Sequence, residues 1–167
     1  MKYTAAVGAI LTFSAVVAAH AEWTVRVEGP DVFGNTMVLI GETNYREMLV
    51  VQCDSKDQFA LALLFRKKEF EQTPKVAASF LVQIDGGQTQ RFSAEMRGWN
   101  DKHGAIVAEE RSPEMLKLLE AIAGARQRIS VGAEIGGNQV SASFGASGSR
   151  RAVSAVMQHC KLATLSQ

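Results

Sequence analysis

Three short stretches of this sequence carry residue types that can do chemistry. They are "GASGSRR" (Gly145 to Arg151), "WNDKHG" (Trp99 to Gly104), and the two cysteines, Cys53 and Cys160. Nucleophilic catalysis needs an activated nucleophile, a base and a group that orients the base. Beyond residue 21 the only histidines are His103 and His159. His159 adjoins Cys160 near a helix end, where an imidazolium would complement the helix dipole. "GASGS" lacks the Gly-x-Ser-x-Gly spacing of a nucleophile elbow, because Ser149 takes the last position. Two isolated histidines and two distant cysteines do not give a zinc spacing. "DSKD" (Asp54 to Asp57) is too short for a calcium loop. Glu109 and Glu110 are adjacent, so in a strand they point to opposite faces and form no acid/base pair. The residues therefore predict no catalytic set, no metal and no cofactor.

Binding chemistry is better represented. In "GASGSRR" a glycine-rich turn opens a helix, whose first N–H groups favour an anion. Ser149, Arg150 and Arg151 sit where they would grip a carboxylate or phosphate. Arginine in a first helical turn opposes the dipole, which hints at an acidic partner. The plainer alternative is capping by Ser147 or Ser149, with both arginines solvated. The lysine of a phosphate-binding P-loop is missing. Trp99 and His103 mark a second tentative contact at a loop edge, the alternative being that Trp99 covers one end of the core. "FRKKEF" (Phe65 to Phe70) reads as a solvated strand end, with a basic patch as its rival.

The chain as a whole sets the compartment. Residues 1–21 combine Lys2, the apolar run "YTAAVGAILTFSAVVAA" and the small-residue site "AHA" before Glu22. That is the pattern of a secretory signal peptide removed from the mature protein, its rival being an uncleaved membrane anchor. Removing it takes one lysine and no acid from 18 basic and 17 acidic residues, leaving a balanced chain with no field to attract nucleic acid. No later segment is apolar over the roughly 20 residues needed to span a bilayer, so no stable membrane insertion is expected after cleavage. In an exported chain two lone cysteines predict a structural disulfide, Cys53 to Cys160. Their spacing is unlike the Cys-x-x-Cys of a redox pair.

The elements that must position these residues follow from hydrophobic period. Alternation marks strands in "WTVRVEG", "NTMVLIGETN", "QRFSAEMRG", "RISVGAEI" and "QVSASFG". "MLVVQC" and "QFALALLFR" are apolar on both faces and predict central strands, joined by "ASFLVQID" and "AIVAEE". "DGG" and "GGN" supply hairpin turns. "SPEMLKLLEAIAG" predicts a helix with Ser112 as N-cap, Pro113 in the first turn and Gly124 as the stop. A second helix covers "GSRRAVSAVMQHC", with Ala152, Val153, Val156, Met157 and Cys160 on one face. The expected architecture is mainly β (α+β), one domain over residues 22–167. It holds an antiparallel sheet or sandwich of about eight strands and two packed helices, the last tied to a strand by the disulfide.

This layout resembles the periplasmic VasI/TagO-like family associated with type VI secretion, across most of residues 23–162. The resemblance rests on the Trp23-led strand, "MLVVQC" ending at Cys53, the internal Trp99, the "EMLKLLEAI" helix before two strands, and the closing "SFGASGSRRAVSAVMQHC". Phe144, Gly148, Ala152 and Cys160 match that family's C-terminal pattern. There is a looser similarity to invasion-associated locus B proteins. Either resemblance implies a bacterial periplasmic or secreted protein without an established enzymatic mechanism. The leading expectation is a non-enzymatic accessory or binding protein with a protein partner in the bacterial envelope, serving a secretion system or envelope assembly. The alternative is an inhibitor of an envelope-directed hydrolase such as lysozyme, with "GASGSRR" inserting an arginine into an acidic cleft. An envelope hydrolase using Asp101 and His103 comes third.

Overall fold

A computed structural model describes residues 22–44, 46–56, 58–66, 75–160 and 162. The expected leader, residues 1–21, and residues 67–70 of the "FRKKEF" run lie outside the described residues. Each alternating segment forms a strand: β1 (Thr24–Glu28), β2 (Met37–Thr43), β3 (Glu47–Asp54), β4 (Phe59–Arg66), β5 (Val76–Ile84), β6 (Thr89–Gly98) and β7 (His103–Ala108). Helix α1 (Pro113–Gly124) follows, then β8 (Arg128–Ile135), β9 (Asn138–Gly145) and α2 (Ser149–His159). The nine strands make one antiparallel sheet in the order β1-β2-β3-β4-β7-β6-β5-β8-β9. The continuous sheet, and not a two-layer sandwich, is the form the chain takes.

Period two divides the central strands between two apolar clusters. Leu49, Val51 and Cys53 of β3, with Leu61 and Leu63 of β4, face the helices and join the main core. Their alternate neighbours Val50, Ala62 and Leu64 meet Ala105 and Val107 of β7 on the opposite face. Strands apolar on both sides are thus central, as the sequence predicts. The helices supply Met115, Leu118, Leu119 and Ile122 from α1 and Ala152, Val153 and Val156 from α2, all buried. Full burial of a side chain of leucine size stabilises the fold by about 1.5–3 kcal/mol.

Local signals place both helices. The Ser112 side chain accepts a bond from the Met115 N–H at 3.2 Å, and Pro113 occupies the first turn where no N–H is needed. Helix α1 runs through Gly124 and ends at Ala125, whose N–H reaches the Ile122 carbonyl. The Cys53–Cys160 disulfide, with its Cα atoms 6.1 Å apart, holds the end of α2 to β3. Among the described residues, no helix is long and apolar enough to cross a membrane.

The sheet curls until its two ends meet, and side chains close the gap. The Trp23 N–H donates to the Ser147 carbonyl at 3.0 Å, and its indole N–H donates to the Gly145 carbonyl at 2.9 Å. Asn44 Nδ2 donates to the Ser143 carbonyl at 3.4 Å. Beyond the β1 pairing, the last residues of β2 therefore lie beside β9 along a seam without a backbone ladder. Trp23 is fully buried there.

Candidate functional site

The N-terminus of α2 is occupied from within the chain. Gly148 is the N-cap in the left-handed region, at φ 80°, and no side chain caps the helix. A Cβ at Gly148 would lie 2.8 Å from Cγ of Glu22, so only glycine permits this approach. The expected capping by Ser147 or Ser149 is thus not made. The Ser149 N–H donates to the Ala146 carbonyl, and the Ser149 hydroxyl donates to the Ile122 carbonyl at 2.8 Å. Ser149 is 1% exposed and ties α2 to α1, so it cannot meet an outside ligand. Arg151 Nη2 lies 3.0 Å from Glu22 Oε1. The acid suggested by arginines in the first turn is therefore the chain's own Glu22. Both partners of this pair are more than half exposed, so it contributes at most a few tenths of a kcal/mol. Arg150 remains exposed.

Trp99 and His103 belong to one tight hairpin between β6 and β7. Asn100 Oδ1 accepts the Lys102 and His103 N–H groups at 2.9 Å each, and lies 3.0 Å from His103 Nδ1. The Trp99 N–H donates to the His103 carbonyl at 3.0 Å. The indole is half-buried against the outer cluster of the sheet, as are Leu39 and Met48. It also borders an open depression with Met37, Leu39, Gln52 and Arg97, while Arg97 itself pairs with Glu109. His159 Nε2 lies 3.1 Å from Thr36 Oγ1 and tethers the end of α2 to the start of β2. The sequence-predicted binding residues thus form two separate groups, Ser149 with Arg150 and Arg151, and Trp99 with His103. Among the described residues no three His, Cys, Asp or Glu side chains gather as a metal site.

Two features that the sequence reading passed over stand out in the structure. The first is the loop between β1 and β2, which holds "GPDVFG" (Gly29 to Gly34). Asp31 organises it: Oδ1 accepts the Phe33 and Asn35 N–H groups at 2.8 Å each, and Oδ2 accepts Asn35 Nδ2 at 2.9 Å. The Asp31 N–H donates to the Asn35 carbonyl, and the Gly34 N–H donates back to Asp31, both at 2.9 Å. The Asn35 side-chain bond, with backbone bonds from Asn35 and Phe33, holds the Asp31 carboxyl below its ordinary pKa. This braced frame presents Val32 and Phe33 to solvent at 92% and 85% exposure. Adjacent apolar residues in a turn motif were the available signal; their exposure depends on how the loop projects.

The second feature is an apolar cavity of about 310 Å³ at one end of the curled sheet. Leu63, Phe65, Met96, Ile106, Ile135 and Val140 line it, with Glu47 and Ser141. Gly104 creates room in its wall, since a Cβ there would lie 2.6 Å from Cε2 of the Phe65 ring. A cross-strand row runs Glu42–Leu49–Leu63–Ile106–Met96 and connects the cavity to the seam. Glu42 is 4% exposed, and its Oε2 has no hydrogen-bond partner among the described residues. Desolvation raises its pKa, and a hydrogen bond with the Gly145 backbone offsets that only in part. Comparisons with protein-family models, curated proteins and solved structures returned no match for this chain.

Proposed function

We propose that this chain is an exported, non-enzymatic accessory protein of the bacterial envelope that works by holding a protein partner through the Val32–Phe33 loop. One observation carries the reading: two large apolar side chains stand almost fully in water on a loop whose backbone is already fixed by Asp31. Burying each in a partner's pocket would contribute about 1.5–3 kcal/mol. A braced loop adds little ordering cost on binding. Val27 on β1, the strand that leads into this loop, is also exposed, at 61%. The leader pattern in residues 1–21 and the Cys53–Cys160 bond support an oxidising, exported setting. The resemblance to the VasI/TagO-like family points toward a secretion or envelope assembly as the process served.

The lysozyme-inhibitor reading is weaker. It relies on an arginine free to enter an acidic cleft, and Arg151 is paired with Glu22, which leaves Arg150 to act alone. A photo-crosslinking residue placed at position 33, and separately at position 150, compares the two surfaces in native periplasm. The loop reading expects one specific adduct from position 33, lost when Val32→Ser is added. Adducts from position 150 alone would overturn it in favour of the helix terminus. Failure of either position to crosslink any protein would count against protein binding altogether.

A further inference from the structure

We propose that the cavity at the end of the curled sheet is a binding site for a small cationic amphiphile, an apolar chain or ring bearing an ammonium group. Its volume, about 310 Å³, lies at the lower end of the range of small-molecule pockets. Leu63 and Ile106 are buried in its wall, while Val140 is 45% exposed and marks the opening. Six apolar side chains from five strands surround the space, which favours a hydrocarbon body. Open apolar pockets at barrel mouths suit such ligands.

Charge selects the head group. Among the described residues Glu47 is the one ionisable residue lining the cavity, and no described lysine, arginine or histidine lines it. Its position is fixed from two sides: the Glu47 N–H donates to Asn44 Oδ1 at 2.8 Å, and Glu47 faces Phe65 across the β3–β4 ladder. Arg66 follows Phe65 in β4, so strand alternation sends its side chain to the other face. A carboxylate ligand would therefore meet Glu47 with no compensating cation among the described residues, whereas an ammonium would pair with it. Attraction in one case and repulsion in the other separate the two head groups by about tenfold in affinity.

The test uses residues 22–167 with the disulfide intact and methionine methyl groups labelled with carbon-13. Met96 lines the cavity, so its methyl resonance reports occupancy directly. Octylammonium, octanol and octanoate are titrated below their micelle concentrations. The expected result is a saturable shift of the Met96 signal with octylammonium, and about tenfold weaker binding of octanoate. Glu47→Gln should abolish the difference between the two charged ligands. Val140→Trp, at the exposed rim, should block all three while leaving the circular dichroism spectrum unchanged. Octanoate binding as tightly as octylammonium, or a preference that survives Glu47→Gln, would overturn the head-group assignment. No saturable Met96 shift with any of the three, or no effect of Val140→Trp in a folded protein, would overturn the site.

Discussion

Breaking the Cys53–Cys160 bond removes a cross-link between residues 107 apart in sequence. Closing a loop of about 100 residues restricts the unfolded chain by roughly 4.7 kcal/mol on the chain-entropy account. Single domains are stable by about 5–15 kcal/mol, so this one bond supplies a large part of the total. Both half-cystines are buried, at 1% and 3% exposure, so a Cys53→Ala/Cys160→Ala variant also loses packing around two sulfurs. The reduced wild-type protein keeps those atoms and isolates the cross-link. Urea unfolding of the oxidised, reduced and doubly substituted proteins, followed by fluorescence and far-ultraviolet circular dichroism, separates the two contributions. With slopes of about 1–3 kcal/mol per molar urea, reduction should lower the midpoint by about 2 M. The slope should also rise on reduction, because the released unfolded chain exposes more surface. If oxidised and reduced proteins agree within about 1 kcal/mol, the reasoning fails. The tether would then add little constraint to an unfolded chain already compact between β3 and α2.

Other substitutions test the remaining assignments. Ser149→Ala should cost about 0.5–1.5 kcal/mol in urea unfolding, because the Ile122 carbonyl loses one of its two donors and keeps the Ala125 N–H. Arg150→Ala, at an exposed position, should stay within about 0.5 kcal/mol. Glu42 has a folded pKa raised above its unfolded one, so the folded state holds the proton more tightly. Stability should fall as pH rises from the ordinary carboxyl range through that raised value. Glu42→Gln should flatten the decline and raise the urea midpoint at neutral pH. A pH–stability profile unchanged by Glu42→Gln would refute this assignment. Gly104→Ala should force the Phe65 ring out of its present position, at a cost of about 1–3 kcal/mol. The same change should move the Met96 methyl resonance, since both side chains border one cavity.

The elements were legible because their signals are local. Alternation, and for β3 and β4 a run apolar on both faces, marks the strand segments, nine in the structure where about eight were expected, and Ser112 with Pro113 marks the start of α1. "AIVAEE" overran by two residues, since β7 stops at Ala108 and leaves Glu109 to pair with Arg97. The disulfide followed from cysteine number and compartment. What could not be read depends on partners distant in sequence. Ser149 looks like a cap until the packing of α2 brings Ile122 beneath its hydroxyl. Arg151 looks free until the start of the chain delivers Glu22. The seam made by Trp23, Asn44 and Gly145 has no periodic signature, because single side chains do the work of a backbone ladder. Val32 and Phe33 are visible in the sequence as adjacent apolar residues in a turn motif, and only the fold shows that they stand in solvent.

The seam also sets an order in time. Trp23 and Glu22, at the start of the described chain, find their partners at Gly145, Ser147 and Arg151, and Cys53 must wait for Cys160. Loop-closure entropy delays such distant contacts relative to hairpins such as β5–β6. A growing or translocating chain that has not yet released α2 can pair its strands but cannot close the curl. Until that moment β1 and the last residues of β2 lack the cover that α2 and β9 give them, and they are the surfaces on which neighbouring unfinished chains can pair wrongly. Protection of nascent copies therefore depends on the last element to arrive, and a C-terminal truncation should appear as aggregation during synthesis.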